Sequence, residues 1–392
     1  MSIRALAFAL LVATFCSFTL ISNGEAKKPA ETAAQSEISK YVTVPIFYVT
    51  DRELVGETFG PHRRYPAVCE HHMYYGTSFV RVRNRRDEAP NKLWGELGWK
   101  ASEEKPGKIA EKSRIDPTDP DKSKREFLDQ LKKSLDQAGG TQLCLFAHGA
   151  ADGFEDCSQD AAQLEYAMKK PLVLYSWPSD PRRRGYEIDG VNCEWSQAHF
   201  DMFLKDLLAL RSEHPLQVIA IAHSMGNRLV VRSLPAIYGT GLIKDCELVS
   251  PDIDAATCRH YVMGFPEIHG TLRLYVSNRD KLLPLSQLLA GGYYRMGEAA
   301  NPIQHLQPVQ GRFMQRIDFT ALDKGLTGHS IPFELIDDMV ETGKPGEGLA
   351  LVEEESVTPS RFEKFAGRSQ GLKSATEEPG GCVRVVRTAP AR

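Results

Sequence analysis

Apolar and polar positions alternate unevenly along the chain, and the unevenness marks its elements. YVTVPIFYVT (41–50) and SFVRVR (78–83) are rich in β-branched and aromatic residues and predict strands. The stretch 84–123 is charged, carries DPTDPD at 116–121, and reads as a surface excursion. KREFLDQLKKSLDQAGG (124–140) places apolar residues at helical spacing and ends in glycine. Continuous apolar runs then take over: QLCLFAHG (142–149), PLVLYSWP (171–178), LQVIAIAHS (216–224), CELVSPDID (246–254), TLRLYVSNRD (271–280) and RFMQRIDFTA (312–321). Between them lie helical patterns at 154–170, 194–210 and 225–238, with a polar loop at 179–192. Apolar runs separated by helices predict parallel strands covered on both faces. The fold class is therefore α/β: a doubly wound, mostly parallel sheet with helices on both faces.

The two ends have a different character. Residues 1–26 combine Arg4, an apolar run from Ala5 to Ile21 and the small-residue pattern Gly24-Glu25-Ala26, which predicts a signal peptide cleaved after about Ala26. An uncleaved membrane anchor is the minority reading. Export to the periplasm or the medium follows, with no membrane span left after cleavage. Residues 27–40 are small and polar and read as a linker, so the main domain spans 41–343. Residues 344–392 lack sustained periodicity and are expected to form a mobile tail, although Cys382 to Val386 has the pattern of an edge strand.

Charge narrows the partners. Lys+Arg total 48 against Asp+Glu 51, a formal net charge of −3. A dedicated nucleic-acid binder needs a basic field, so no nucleic-acid partner is expected. Seven of the eight cysteines lie beyond residue 26. An oxidising compartment would favour disulfides, and Cys246 with Cys258 is a candidate pair. No Cys/His spacing suits a metal, and the serine chemistry of the chain's one reactive motif needs neither metal nor organic cofactor.

One motif carries chemistry. Ala222-His223-Ser224-Met225-Gly226 stands where a strand turns into a helix, the pattern of a nucleophile elbow with alanine in first place. The nucleophile occupies a strained turn, and side chains two residues before and after it would collide with neighbouring elements. Ala222 and Gly226 are small enough. Ser224 then projects at a helix N-terminus, which stabilises negative charge. An activated serine needs a base, and the base needs an orienting acid, in chain order Ser, acid, His. Asp280 follows one later strand and His329 follows the last, so both fall on the expected sheet edge. Competing acids are Asp252 and Asp254, which suit site shaping or helix capping, and Asp318 and Asp323. His223 is expected to point away from the oxyanion side. The oxyanion hole should use the N–H of Met225 and that of Ala150 or Gly149. Tyr186 and Asp189 are candidates for supporting residues.

VPIFYVTDREL (44–54), FAHGAADGFEDC (146–157), LYSWPSD (174–180), AIAHSMGNRLV (220–230), VSPDID (249–254), LYVSNRDKLLPLS (274–286) and GHSIPF (328–333) together resemble a bacterial branch of the α/β-hydrolase superfamily catalogued mainly as a domain of unknown function. The resemblance implies an α/β-hydrolase sheet and a serine hydrolase of esterase or lipase type, with Ser224, Asp280 and His329 on its triad positions. The expected reaction is cleavage of a small-molecule or lipid-like carboxylic ester through an acyl-enzyme. The alternatives are a noncatalytic binding or envelope-assembly protein on the same scaffold, and an acyltransferase using the same triad.

Overall fold

The computed structural model describes residues 41–64, 73–84, 109–114, 120–182, 185–265, 268–299, 301, 314–346, 349–353 and 382–387. The expected signal peptide and linker lie outside the described residues, as do 85–108 of the expected excursion and 354–381 of the expected tail.

In chain order the elements are β1 (Tyr41–Thr50), β2 (Arg52–Val55), β3 (Thr58–Arg63), β4 (Tyr74–Arg83), β5 (Ile109–Arg114), α1 (Pro120–Gln137), β6 (Gln142–Ala147), α2 (Phe154–Met168), β7 (Leu172–Ser176) and α3 (Tyr186–Glu213). They continue with β8 (Gln217–His223), α4 (Asn227–Arg232), β9 (Ile243–Val249), α5 (Ala255–Gly264), β10 (Leu272–Val276), α6 (Leu282–Leu289), β11 (Met314–Asp318), α7 (Phe333–Thr342), β12 (Leu349–Glu353) and β13 (Cys382–Arg387). One sheet runs β12-β13-β11-β10-β9-β8-β6-β7-β1-β4-β5, and β2 pairs with β3 in a separate hairpin. From β13 to β1 eight strands are parallel. β4 and β5 on one side and β12 on the other are antiparallel additions.

Period-two alternation splits each central strand between two cores. Leu143, Leu145 and Ala147 of β6 join one apolar cluster, with Phe127 and Leu131 of α1, Phe200 and Phe203 of α3 and Leu229 of α4. Cys144 and Phe146 of the same strand join the other, with Phe154 and Leu164 of α2 and Leu335 and Met339 of α7. Each buried leucine, phenylalanine or methionine among them contributes roughly 1.5–3 kcal/mol of transfer free energy. With both faces covered, only strand ends and loops remain for chemistry. Between β6 and β8 the chain order reverses, since β7 lies on one side of β6 and β8 on the other. The crevice at the C-terminal ends of strands at such a switch point is where open α/β sheets bind ligands.

Three expectations change. The excursion 84–123 contains β5, paired antiparallel with β4, and its last residues open α1. Its charged sequence IAEKSR hid it, yet charge suits a sheet edge that must not recruit other chains. The segment expected to be a mobile tail contributes β12 and β13, the latter parallel to β11. Cys246 and Cys258 do not pair: both are free and buried, as are Cys144, Cys157 and Cys193. Among the described residues no helix is long and apolar enough to cross a membrane.

Candidate active site

β8 delivers Ser224 into a single 3-10 turn, Ser224–Gly226, from which α4 departs. Ser224 has φ of 51°, a left-handed conformation that costs a non-glycine residue about 1–3 kcal/mol. Its surroundings hold it there. The Asn227 amide donates to the carbonyls of Ala222 (3.1 Å), Ser224 (2.9 Å) and Val249 (3.3 Å), and the Asp252 N–H donates to the same Ser224 carbonyl at 2.9 Å. A Cβ at residue 226 would lie 2.4 Å from the carbonyl oxygens of Ala147 and His148, so only glycine fits. The Ser224 hydroxyl makes no hydrogen bond among the described residues, so it is not committed to a structural role.

The acid and the histidine arrive on two neighbouring loops. β10 ends at Val276, and Asp280 follows just before α6. One Asp280 oxygen accepts from the N–H groups of Leu282 (2.9 Å) and Leu283 (3.1 Å). The other accepts from His329 Nδ1 at 2.6 Å. Gly328, with φ of 69°, packs so tightly that a Cβ would lie 2.1 Å from the Arg279 carbonyl carbon. The Lys281 N–H closes the same contact on the Thr327 carbonyl at 2.9 Å. His329 is thus seated against Asp280 by backbone as well as by side chain. Burial opposes a positive charge on the ring, but the charge and hydrogen bond of Asp280, with Asp252 and Asp323 beyond, outweigh it and raise the histidine above its ordinary range.

The rival acids are occupied elsewhere. Asp252 accepts from Ser286 Oγ at 2.6 Å and from the Tyr186 hydroxyl, and pairs with Arg228 at 3.3 Å and Arg295 at 3.4 Å. Burial pushes its pKa up, yet Arg228 and then Arg295 hold it below the usual carboxylate range. Asp254 caps α5 by accepting from the Thr257 N–H at 2.8 Å. Asp318 accepts from the Thr320 N–H, and Asp323 from Ser330 Oγ and the Gly325 N–H.

His223 is placed differently from its expectation. Its ring centroid is 4.9 Å from that of His329. A Cβ on Gly149 would sit 3.0 Å from both His223 Nδ1 and Ser224 Cβ. His223 therefore lines the gap between the β6 loop and His329. Among the described residues neither ring nitrogen has a hydrogen-bond partner of full geometry, although the His329 backbone lies close, and burial, then the His329 ring, lowers its pKa to about 3. It is a neutral packing ring.

After β6, the backbone N–H groups of Ala151, Asp152 and Gly153 donate to Asp189 Oδ2 (2.9 Å), Ser179 Oγ (3.2 Å) and Asp156 Oδ2 (3.1 Å). Those of Gly149 and Ala150 have no partner among the described residues. The Met225 N–H belongs to the first turn after the serine, where a helix leaves its donors free. Asp189, Tyr186 and Asp252 thus form the support expected of the first two. Asn227, Arg228, Ser286 and Arg295 were not foreseen, although Asn227 and Arg228 stand immediately after the elbow.

A family model described as an alpha/beta hydrolase of unknown function (DUF900) matches residues 122–337, more than half of the chain. The chain belongs to this family. The alpha/beta hydrolase match begins inside α1 and ends inside α7. It takes in the elbow, Asp280 and His329, and leaves β1 to β5, β12 and β13 outside. No curated protein and no solved structure matches the chain. Among the described residues no group of histidine, cysteine and acidic side chains is arranged to hold a metal.

Proposed function

We propose that this alpha/beta hydrolase is an exported serine hydrolase that cleaves carboxylic esters through an acyl-enzyme on Ser224. The observation that carries the reading is the 2.6 Å contact between His329 and Asp280, on the loops beside a serine held in a left-handed turn. With Nδ1–H donated to Asp280, His329 offers Nε2 as the base. Ser224 Oγ attacks the ester carbonyl and its proton passes to Nε2. The oxyanion settles between the N–H of Met225 and that of Ala150 or Gly149. Collapse breaks the bond to the alkoxy oxygen, which takes the proton from Nε2 and leaves as alcohol. Water, deprotonated by the same nitrogen, then releases the acid and regenerates Ser224.

A small-molecule or lipid-like ester is the substrate class, and the apolar run at 5–21 supports export. A fluorophosphonate probe tests the reading. It is expected to label the wild type and not Ser224→Ala, and short-chain p-nitrophenyl esters should be hydrolysed by the former alone. A folded protein that neither labels nor hydrolyses would refute the enzyme and return the chain to a binding role on a hydrolase scaffold.

A further inference from the structure

We propose that Arg52 is a positioning residue: through His148 it aims the Ala150 N–H at the oxyanion. The proposal rests on the serine-hydrolase reading. Arg52 stands at the start of β2, directly beyond the end of β1, and is fully buried. Among the described residues no carboxylate forms an ion pair with it. Its guanidinium donates instead to Ser176 Oγ (2.8 Å), the Ser179 carbonyl (2.9 Å), the Gly60 carbonyl (3.4 Å) and the Asp152 carbonyl (2.8 Å), and reaches His148 Nε2 at 3.3 Å. Asp51, Asp152 and Asp189 attract it from beyond ion-pair distance without offsetting its burial, and a buried cation so placed is a poor stabiliser. What a planar fork of five donors does well is fix several partners in one geometry. Here it joins the β2–β3 hairpin, the loop after β7 and the loop after β6.

The consequence runs through one ring. His148 is buried, stacked on Trp177 at 5.0 Å, with Nδ1 2.8 Å from the Gly149 carbonyl oxygen. A carbonyl only accepts, so that contact needs the proton on Nδ1. Nε2 then carries a lone pair, which Arg52 satisfies. The Trp177 carbonyl, 3.2 Å from Nε2, asks for the opposite tautomer. That tautomer would turn the Nδ1 lone pair on an oxygen at 2.8 Å and the Nε2 proton toward a guanidinium, so the shorter contact decides. Holding the Gly149 oxygen fixes the Gly149–Ala150 peptide plane. The Gly149–Ala150 peptide is trans, as are the others among the described residues, so the Ala150 N–H points the opposite way from that oxygen. This is one of the two donors left unpaired in the loop. The sequence holds the cue in TDREL (50–54), where a charged residue follows an apolar strand.

The test compares substitutions at His148, with Arg52→Met beside them. Asparagine carries its NH2 near the place of Nδ1, and glutamine carries its amide near Nε2. His148→Asn should stay within about fivefold of wild-type kcat, while His148→Gln, His148→Phe and Arg52→Met lose about 10²-fold, the scale of one lost oxyanion donor, with KM within about threefold. The same three should lose preference for a p-nitrophenyl ester over its thionoester, because sulfur accepts hydrogen bonds poorly. Loss of structure alone would not move that ratio. Wild-type kcat in folded His148→Phe, equal loss in His148→Asn and His148→Gln, or losses at an unchanged ester-to-thionoester ratio would each overturn the proposal. Wild-type labelling of Ser224 is read first. If it fails, the serine-hydrolase reading falls, and 15N NMR of the His148 ring in the resting protein still judges the clamp: a proton on Nε2 refutes it.

Discussion

Gly328→Ala probes the seating of His329 directly. The added methyl would lie 2.1 Å from the Arg279 carbonyl carbon, 2.1 Å from its oxygen and 2.6 Å from the Asp280 nitrogen. Ordinary carbon contacts are ~3.5–4.0 Å, so the two loops must separate by more than about 1 Å. The φ of 69° adds about 1–2 kcal/mol of strain for any residue with a Cβ. None of this touches the serine or the hole. A displacement of about 1 Å in a catalytic group lowers turnover by roughly 10²-fold, and that loss in kcat is expected here with KM little changed. The assay is p-nitrophenyl acetate hydrolysis, with thermal unfolding to show that the protein remains folded. A folded Gly328→Ala variant turning over within about threefold of wild type, far short of that loss, would mean that the Asp280–His329 seat does not govern catalysis.

Asp280→Asn removes the charge that raises His329, so the acidic limb of the kcat/KM profile should move to lower pH while kcat falls by about 10³–10⁴. Because the folded histidine is raised, the pair's stabilisation is full below the unfolded value near ~6.5 and is lost as pH rises through the folded value. Urea denaturation should accordingly show the gap between wild type and Asp280→Asn shrinking with pH, and a gap that widens would refute the linkage. Asp252→Asn leaves Arg228 and Arg295 without their shared carboxylate and should destabilise by about 3–5 kcal/mol, read from denaturant midpoints. Alkylation after unfolding without reductant should modify both Cys246 and Cys258, and a protected pair would contradict their free state.

Much of the central sheet was legible because its strands announce themselves twice, by continuous apolar runs and by the helices between them. β6 to β11 fall within a few residues of the expected runs. What escaped was written in mixed character. RELV and TFGPHR, the β2–β3 hairpin, interleave charge, glycine and proline with few apolar residues. The first turns of α3 looked like loop because buried Asp189 and Asn192 replace the apolar residues that a helical pattern needs. The helix expected over 225–238 breaks at Ser233, ahead of Pro235, into a short α-helix and a 3-10 turn. The elbow and the Asp280–His329 pairing were legible because a strained turn and chain order constrain residue type. Arg52 was not, because burying an arginine runs against the rule by which interiors are read from sequence.

The parallel seat of β13 against β11 bears on how the protein can be produced. β11 is the strand whose outgoing loop carries His329, and among the described residues its far side is closed by β13, near residue 382. A polypeptide stopped after α7, or trimmed to the family match, would leave a row of bare N–H and C=O groups along β11, a template for other chains. Such truncations should precipitate on expression, whereas a product reaching Arg387 should stay dispersed.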